Sequence, residues 1–451
     1  MQVRAHPELE GTSPLEAMTM WPTDAPLAAL HSNPQATGSA RWSMLATPRG
    51  RAECSPSGGR WIGHAHPLME AAAARGVLAA LEAVDSETEA APQSEDLPPF
   101  AGWIACLHYE LGYTLEPATN PDACPESVVA DLLWCPDAYM HDAATGRWWV
   151  CGSPPPLRGG KPNRMASIGP ISSAPPATMW PDVVARAIEY IRAGDIFQVN
   201  LCRQLHVPVT GDPRGFAVSA LAEPQTAFGA CLECGDRTIV SLSPELFLEI
   251  DATGAVVTRP IKGTAAADVA PGVLLDSEKD AAELHMIVDL MRNDLGRVCD
   301  TGSVEVVCPR RIETHPTVHH GVAEVHGQLK PAARLLDVLR AAFPAGSITG
   351  APKIRAMQIA RTLEPEPRGV YCGAIGMIGP GSQLRLSVAI RTAVIENGML
   401  HYGVGCGIVA DSDPETELAE SEMKAEVLRR TLVTQPCEAP FAGAAGPRSP
   451  A

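Results

Sequence analysis

The chain predicts an α+β fold built on large, mostly antiparallel sheets, and three observations lead there. Its 451 residues are 45% hydrophobic and 19% charged, enough apolar material for one large core or two ordinary ones. β-like runs recur through the second half at 238–242, 245–250, 254–258, 370–378 and 384–394. Helical patterns fall among these runs without the regular strand–helix alternation of a doubly wound sheet.

In the first half, residues 67–84 are Ala-rich and read as a helix, while 102–109 and 147–151 read as strands. Residues 86–99 are acidic and contain proline, which suits an exposed excursion. The segment 153–176 is rich in Pro, Gly and Ser and has the composition of a linker or long loop. A tail at 436–451, rich in Ala, Gly and Pro, is expected to be disordered.

Charge and cysteine content exclude several classes. With 35 basic against 52 acidic residues the formal charge is −17, a poor match for a phosphate backbone, so no nucleic-acid partner is expected. The start has no apolar signal region, and no uninterrupted apolar run reaches the roughly 18 residues of a membrane span. No membrane partner and a cytoplasmic location are therefore expected. Thirteen cysteines without a repeated spacing fit a reducing compartment better than a disulfide framework. Cys231 and Cys234 form a lone CxxC with no second pair at zinc spacing, which speaks against a metal there.

Three segments carry chemistry. The pentapeptide Pro260-Ile261-Lys262-Gly263-Thr264 sets a lysine in a glycine-bearing turn behind a strand-like run, as a counter-ion or a nucleophile. Ser277 followed by Asp280 opens a helix to Leu295, whose apolar stripe is Leu284, Ile287, Val288, Met291 and Leu295. Glu283 lies beside that stripe, at the core's edge, where a carboxylate usually has a partner or a metal. Asp413-Pro414 starts a second helix that puts Glu417, Glu420 and Lys424 on one face, behind the glycines 403, 405 and 407. Spacing alone allows either a solvated face or a ligand-facing one. A Gly/Pro-rich turn at 343–353 leads into a helix beginning near Pro352, whose free amides would attract an anion.

In their order along the chain these segments resemble the chorismate-using enzymes that include anthranilate synthase component I and aminodeoxychorismate synthase component I. The resemblance runs from about Pro181 to Val433 and rests on 194–201, Ser243-Pro244-Glu245-Leu246-Phe247, 260–264, 287–294, 343–353, 389–392 and 405–412. More weakly, Pro98 to Trp103 with Tyr109-Glu110 resembles the family's N-terminal part. It implies a sandwich of large antiparallel sheets with helices packed outside, residues 1–152 being the N-terminal region, 153–176 a linker, 177–435 the catalytic domain and 436–451 the tail.

The resemblance also implies a site. Glu283 and Glu420 match glutamates that hold Mg²⁺, which in turn binds the ring carboxylate of chorismate; hard oxygen ligands suit that ion. Arg391 and the amides of Gly405, Cys406 and Gly407 match carboxylate-holding positions, the planar fork of arginine suiting bidentate binding. Tyr371, Ser347, His320, Lys424, Gly263 and Thr264 match other substrate-pocket positions.

Sister reactions differ at a few residues. Gln198 stands where isochorismate and salicylate synthases resemble one another in a water-activating lysine, which points to ammonia as nucleophile. Lys262 stands where anthranilate synthases have alanine, which points to amination of chorismate at C4 through a covalent Lys262 intermediate, with Glu245 as general acid. This needs a lysine able to lose its proton and a glutamate able to keep one. Leu284 after Glu283, in place of the anthranilate-type Glu-His, points the same way. No cysteine stands in a glutaminase setting, so ammonia is expected from a separate glutamine amidotransferase subunit. Anthranilate synthase component I and a non-catalytic chorismate-binding subunit are the alternatives.

Overall fold

The computed structural model describes residues 3–33, 41–87, 102–119, 126–158, 160, 162, 164–223, 226–316 and 318–434. Most of the acidic excursion, residues 98–101 and the 436–451 tail lie outside that set. Two sheets, one of 14 strands and one of 11, organise the described residues. Their pairings are antiparallel except for the short parallel ladder between Ala166–Ser167 and Val433–Thr434.

The strand Trp103–Leu107 explains the layering. All five of its residues are buried, because both faces are covered. Trp103, Ala105 and Leu107 pack with Met69, Leu81, Leu284, Ile287 and Leu339 from helices outside the smaller sheet. Ile104 and Cys106 point the other way, into the seam shared with Ala28, Met44, Leu232 and Ile239 of the larger sheet. Beyond the larger sheet a third cluster joins Phe216, Ala220, Ala425 and Leu428 of two further helices to Val240, Leu400 and Tyr402. The result is a sheet-on-sheet sandwich with helices on both outer faces.

Both halves of the chain enter both sheets. Trp103–Leu107 pairs with Ala374–Ile378, and Ala28–His31 pairs with Phe228–Cys234. Within 153–176 the short strands Ala166–Ser167 and Ser172–Ala174 dock on Gln198–Thr210. Cys231 and Cys234 lie on one strand but in different layers, Cys231 under the outer helices and Cys234 in the seam, so they do not form a joint metal site.

Four expectations are corrected. The 67–84 helix is two helices, Met69–Ala74 and Val77–Asp85, broken at Gly76, whose φ of 102° is outside the helical range. From Ile261 on, the pentapeptide belongs to a strand, Ile261–Ala266, bulged between Ile261 and Thr264 around Gly263 at φ 81°. The 370–378 run is a strand only over Ala374–Ile378, because 368–372 form a tight turn with Cys372 at φ 64°. The 384–394 run is two strands in different sheets, Leu384–Val388 in the smaller and Thr392–Glu396 in the larger. Arg391, at φ 51°, sits where the chain crosses between them.

A buried ion pair ties these parts together. Arg368 donates to Glu364 at 2.9 and 2.6 Å, to the carbonyl of Ile348 at 3.1 Å and to that of Asn200 at 2.6 Å. Glu364 in turn accepts from the Cys202 amide at 2.9 Å, and the Arg368 guanidinium lies 4.3 Å from the Tyr109 ring centre. Removing one partner of such a pair leaves a buried charge unmatched. Arg368→Met is therefore expected to lower unfolding free energy by about 3–5 kcal/mol in denaturant titrations.

Candidate active site

The site forms where the paired strands Gln198–Thr210 and Met399–Ile408 meet Ile261–Ala266 of the other sheet. Alternation puts Gln198, Asn200, Cys202 and Gln204 on one face, opposite Gly407, Gly405 and Gly403. The glycines leave a bare trough. A Cβ on Gly407 would fall 3.1 Å from Lys262 Nζ and against the Gln198 amide, and one on Gly403 would strike the Tyr371 ring. Beyond Tyr402 the ladder with Thr392–Glu396 ends, so Gly405 to Gly407 are paired along one edge only. The Gly405 carbonyl accepts from Lys424 Nζ at 2.7 Å.

Two helices deliver carboxylates to this trough. Glu278–Val298 is capped by Ser277, which accepts from the Asp280 amide at 3.2 Å. It approaches closely because Gly263 has no side chain; a Cβ there would meet the Asp280 carboxyl carbon at 2.9 Å. Glu283 Oε2 thereby comes 4.0 Å from Lys262 Nζ. Pro414–Thr431, capped by Asp413, brings Glu420, which pairs with Lys424 at 2.8 Å. Glu417, one turn earlier, is buried, accepts from Ser412 Oγ at 2.7 Å and lies within ligand distance of Glu420 and the Cys406 thiol.

Electrostatics separates these acids. Burial pushes Glu283 up, and the neighbouring charges of Asp280 and Glu420 add to that, against Lys262 and Lys279. Burial opposes ionisation of Glu420 too, but Lys424, Lys262 and Lys279 outweigh it and hold that carboxyl low. Glu245 is fully enclosed, and burial raises its carboxyl to about 7 although the Ser347 hydroxyl, the Lys262 charge and the Ile261 amide favour the ionised form. Ser347 Oγ donates to Glu245 Oε1 at 2.6 Å. A carboxyl titrating near neutrality can hold or give a proton.

The remaining predicted residues surround this centre. His320 Nδ1 is 3.0 Å from Thr264 Oγ1, and burial, with Arg391 and His315 nearby, holds its imidazole neutral. Arg391 is enclosed, close enough to His320 and Lys424 to influence both. Tyr371 is buried over Gly403, its phenol driven upward by burial. Asp280 and Glu417 join these residues without a site role in the sequence pattern; on each helix the signal is two acids three residues apart, Asp280 with Glu283 and Glu417 with Glu420, and Asp280 also serves the helix start.

Four buried polar atoms facing this region or beside its carboxylates have no hydrogen-bond partner among the described residues: Gln198 Oε1, Asn200 Nδ2, His320 Nε2 and Glu417 Oε2. Buried polar groups are nearly always satisfied, so these suit a polar ligand. The carboxylates at Glu283 and Glu420, within electrostatic reach of each other, are hard oxygen donors that fit a small divalent cation.

The fold and this array define a chorismate-binding enzyme: residues 55–430 match that family's sequence pattern, and the chain belongs to the family. Among curated relatives it is 37% identical to an aminodeoxychorismate synthase of Streptomyces griseus over 74% of this chain and 51% of that one. It is 36% identical to anthranilate synthase component 1 of Streptomyces coelicolor, covering 74% of this chain and 73% of that protein. It is 34% identical to aminodeoxychorismate synthase component 1 of Salmonella typhimurium, covering 76% and 80%. The aligned part thus spans about half of the Streptomyces griseus protein. Among solved structures, anthranilate synthase component I of Streptococcus pneumoniae superposes with TM-score 0.73 at 28% identity, over 92% of this chain and 98% of that one. The menaquinone-specific isochorismate synthase of Escherichia coli shares the fold, with TM-score 0.70 at 17% identity over 96% and 94%.

Glu245 makes stability depend on pH. Its folded carboxyl keeps a proton up to about pH 7, whereas the unfolded one loses it near 4.5, so its contribution is full below 4.5 and is lost as pH rises through 7. Relative to Glu245→Gln, the parent protein should lose about 3 kcal/mol of unfolding free energy across that interval. Denaturant titrations of both proteins at several pH values check this; a pH-independent difference would contradict it.

Proposed function

We propose that the protein aminates chorismate at C4, giving 4-amino-4-deoxychorismate, with Lys262 as nucleophile and Glu245 as general acid. The observation that carries this reading is Lys262 itself, its amine over Gly407, 4.0 Å from Glu283 and within electrostatic reach of an acid that is still protonated near pH 7. The comparisons support the substrate class; the choice of product is inferred from Lys262 and Gln198.

Chorismate is a dianion, and Arg391, Lys424 and the open edge at Gly405 to Gly407 would receive its carboxylates. Glu283 and Glu420 would hold Mg²⁺, with Glu417 and Asp280 as further acids nearby. When bound, the ion supplies Lewis-acid stabilisation of a ring carboxylate and of charge developing as the hydroxyl leaves.

The free amine of Lys262 forms a bond to C2 while the C4–O bond breaks, and Glu245 gives its proton to the departing hydroxyl, which leaves as water. The carboxylate so formed takes the proton that the amine sheds. Ammonia then bonds to C4 as the C2–N bond to Lys262 breaks; Glu245 gives its proton to the departing lysine nitrogen and takes one back from the new C4 ammonium, so that lysine and acid are both regenerated. Gln198 has no basic nitrogen, so at the position beside Gly407 it does not activate water for a competing attack.

We further propose that ammonia comes from a separate glutamine amidotransferase subunit, and that the product serves 4-aminobenzoate and folate synthesis. A cytoplasmic location is consistent with the cysteines: among the described residues all are free thiols, and all but Cys308 are buried. No helix among the described residues is long and apolar enough to cross a membrane. Relatives of almost equal identity favour anthranilate synthesis as the second reading, and Lys262 counts against it.

Incubation with chorismate, Mg²⁺ and ammonium is expected to give a product that becomes 4-aminobenzoate only after a lyase is added; anthranilate fluorescence would contradict the assignment. Glu245→Gln should slow turnover about 10²- to 10⁴-fold, the range of general acid catalysis. Lys262→Ala should all but abolish amination while Mg²⁺-dependent chorismate binding persists.

A further inference from the structure

The strand pair that carries Gln198 and Gly407 at one end carries two histidines further along the same face. His206 and His401 are direct partners across the ladder. Their Nδ1 atoms lie 2.9 Å apart, with the rings at 79° to each other. On the far side of each ring stands a carboxylate: Glu366 Oε2 is 3.0 Å from His206 Nε2, and Glu396 Oε1 is 4.0 Å from His401 Nε2.

An ionised carboxylate only accepts hydrogen bonds, so Glu366 fixes the proton of His206 on Nε2 and leaves its Nδ1 as a lone pair aimed at His401. The gap between the two Nδ1 atoms therefore takes one positive centre. It is either the proton of His401 or a metal ion in that proton's place, with the His401 proton moved to Nε2 on the Glu396 side. A ring nitrogen directed at a metal, with the opposite N–H held by a carboxylate, is the usual setting of metal-binding histidines.

The surroundings accept such an ion. The pair lines a cavity of about 240 Å³ together with Gln204, Tyr371 and Thr392, so water can complete the coordination. Of the other charged groups on that cavity, Arg237 is already paired with Asp131 at 2.6 Å and Arg368 with Glu364 at 2.6 Å. His108, the remaining titratable neighbour, is 3.2 Å from Asp131. Glu366 and Glu396 are left to balance a dication. The two imidazoles are 21% and 35% exposed, enough for entry from solvent and for their nitrogens to part from 2.9 Å. The spacing around a tetrahedral ion with bonds near 2.1 Å is about 3.4 Å.

We propose that His206 and His401 form a binding site for a borderline divalent ion of the zinc, nickel or copper class, separate from the acids at Glu283 and Glu420. Imidazole nitrogens select such ions, whereas an all-carboxylate set selects magnesium. Because the ligands come one from each strand, the bound ion clamps the two strands that carry Gln198 and the glycine trough.

The test is calorimetric titration of the chelator-stripped full chain with Zn²⁺ in excess Mg²⁺. One equivalent should bind at this pair, distinguished from any taken up at Cys406, Glu417 and Glu420 by its loss in the histidine variants. His206→Gln or His401→Gln should remove it, Glu366→Gln should weaken it about ten- to a hundredfold, and Glu283→Gln should leave it unchanged. Undiminished binding in either histidine variant, or displacement of zinc by magnesium, overturns the proposal. Crystals of the unaltered protein soaked in Zn²⁺ give a check that does not depend on variants folding. An anomalous peak between the two Nδ1 atoms supports the site, and soaked crystals without a peak there refute it.

Discussion

The buried pair of Glu364 and Arg368 fixes where the segments carrying the candidate site sit. The arginine binds two carbonyls from different elements, Ile348 beside Ser347 and Asn200 in the strand next to the glycine trough. Its own backbone amide donates to Glu110 at 2.8 Å, which ties the turn holding Tyr371 to the first half of the chain. Hydrophobic burial forms the layers, but it does not set the register of polar groups across them; a fully satisfied ion pair in a low-dielectric interior does so by being costly to misplace.

On that scaffold the reactivity comes from contrasts in environment over short distances. Glu245 and Glu283 are both influenced by Lys262, and Glu420 is as well. Glu245 is enclosed and keeps its proton to about pH 7, while Glu420, held by lysines, stays ionised. In the proposed mechanism one kind of side chain would thus supply an acid at one place and a cation ligand at another, as environment dictates. The missing side chains matter equally. Gly407 admits Lys262 and Gln198, Gly403 admits Tyr371, and Gly263 lets the helix of Glu283 approach the lysine.

Much of this was legible in the sequence because it is local. Ser277 and Asp413 cap the helices they were expected to cap, and the stripe from Leu284 to Leu295 is buried. What escaped depends on the third dimension. The 384–394 run has uniform β composition, and nothing in its alternation marks the change of sheet at Arg391, where a left-handed residue turns the chain. Pro260 and Gly263 read as a turn because the same residues serve turns and bulges. Glu364 and Arg368, four apart at a helix end, look like a routine surface pair until their burial is seen. His206 and His401 are 195 residues apart, and only the ladder joins them.

In the proposed mechanism Lys262 becomes covalently attached to the substrate. Rapid quenching of the enzyme during turnover with chorismate and Mg²⁺, with ammonia withheld, followed by peptide mass spectrometry, addresses it most directly. A chorismate-derived adduct is expected on the peptide containing Lys262, and it should disappear when ammonia is supplied before quenching. Chorismate consumption without an adduct at Lys262 under any quenching time would contradict it and leave the lysine as an electrostatic partner of the substrate.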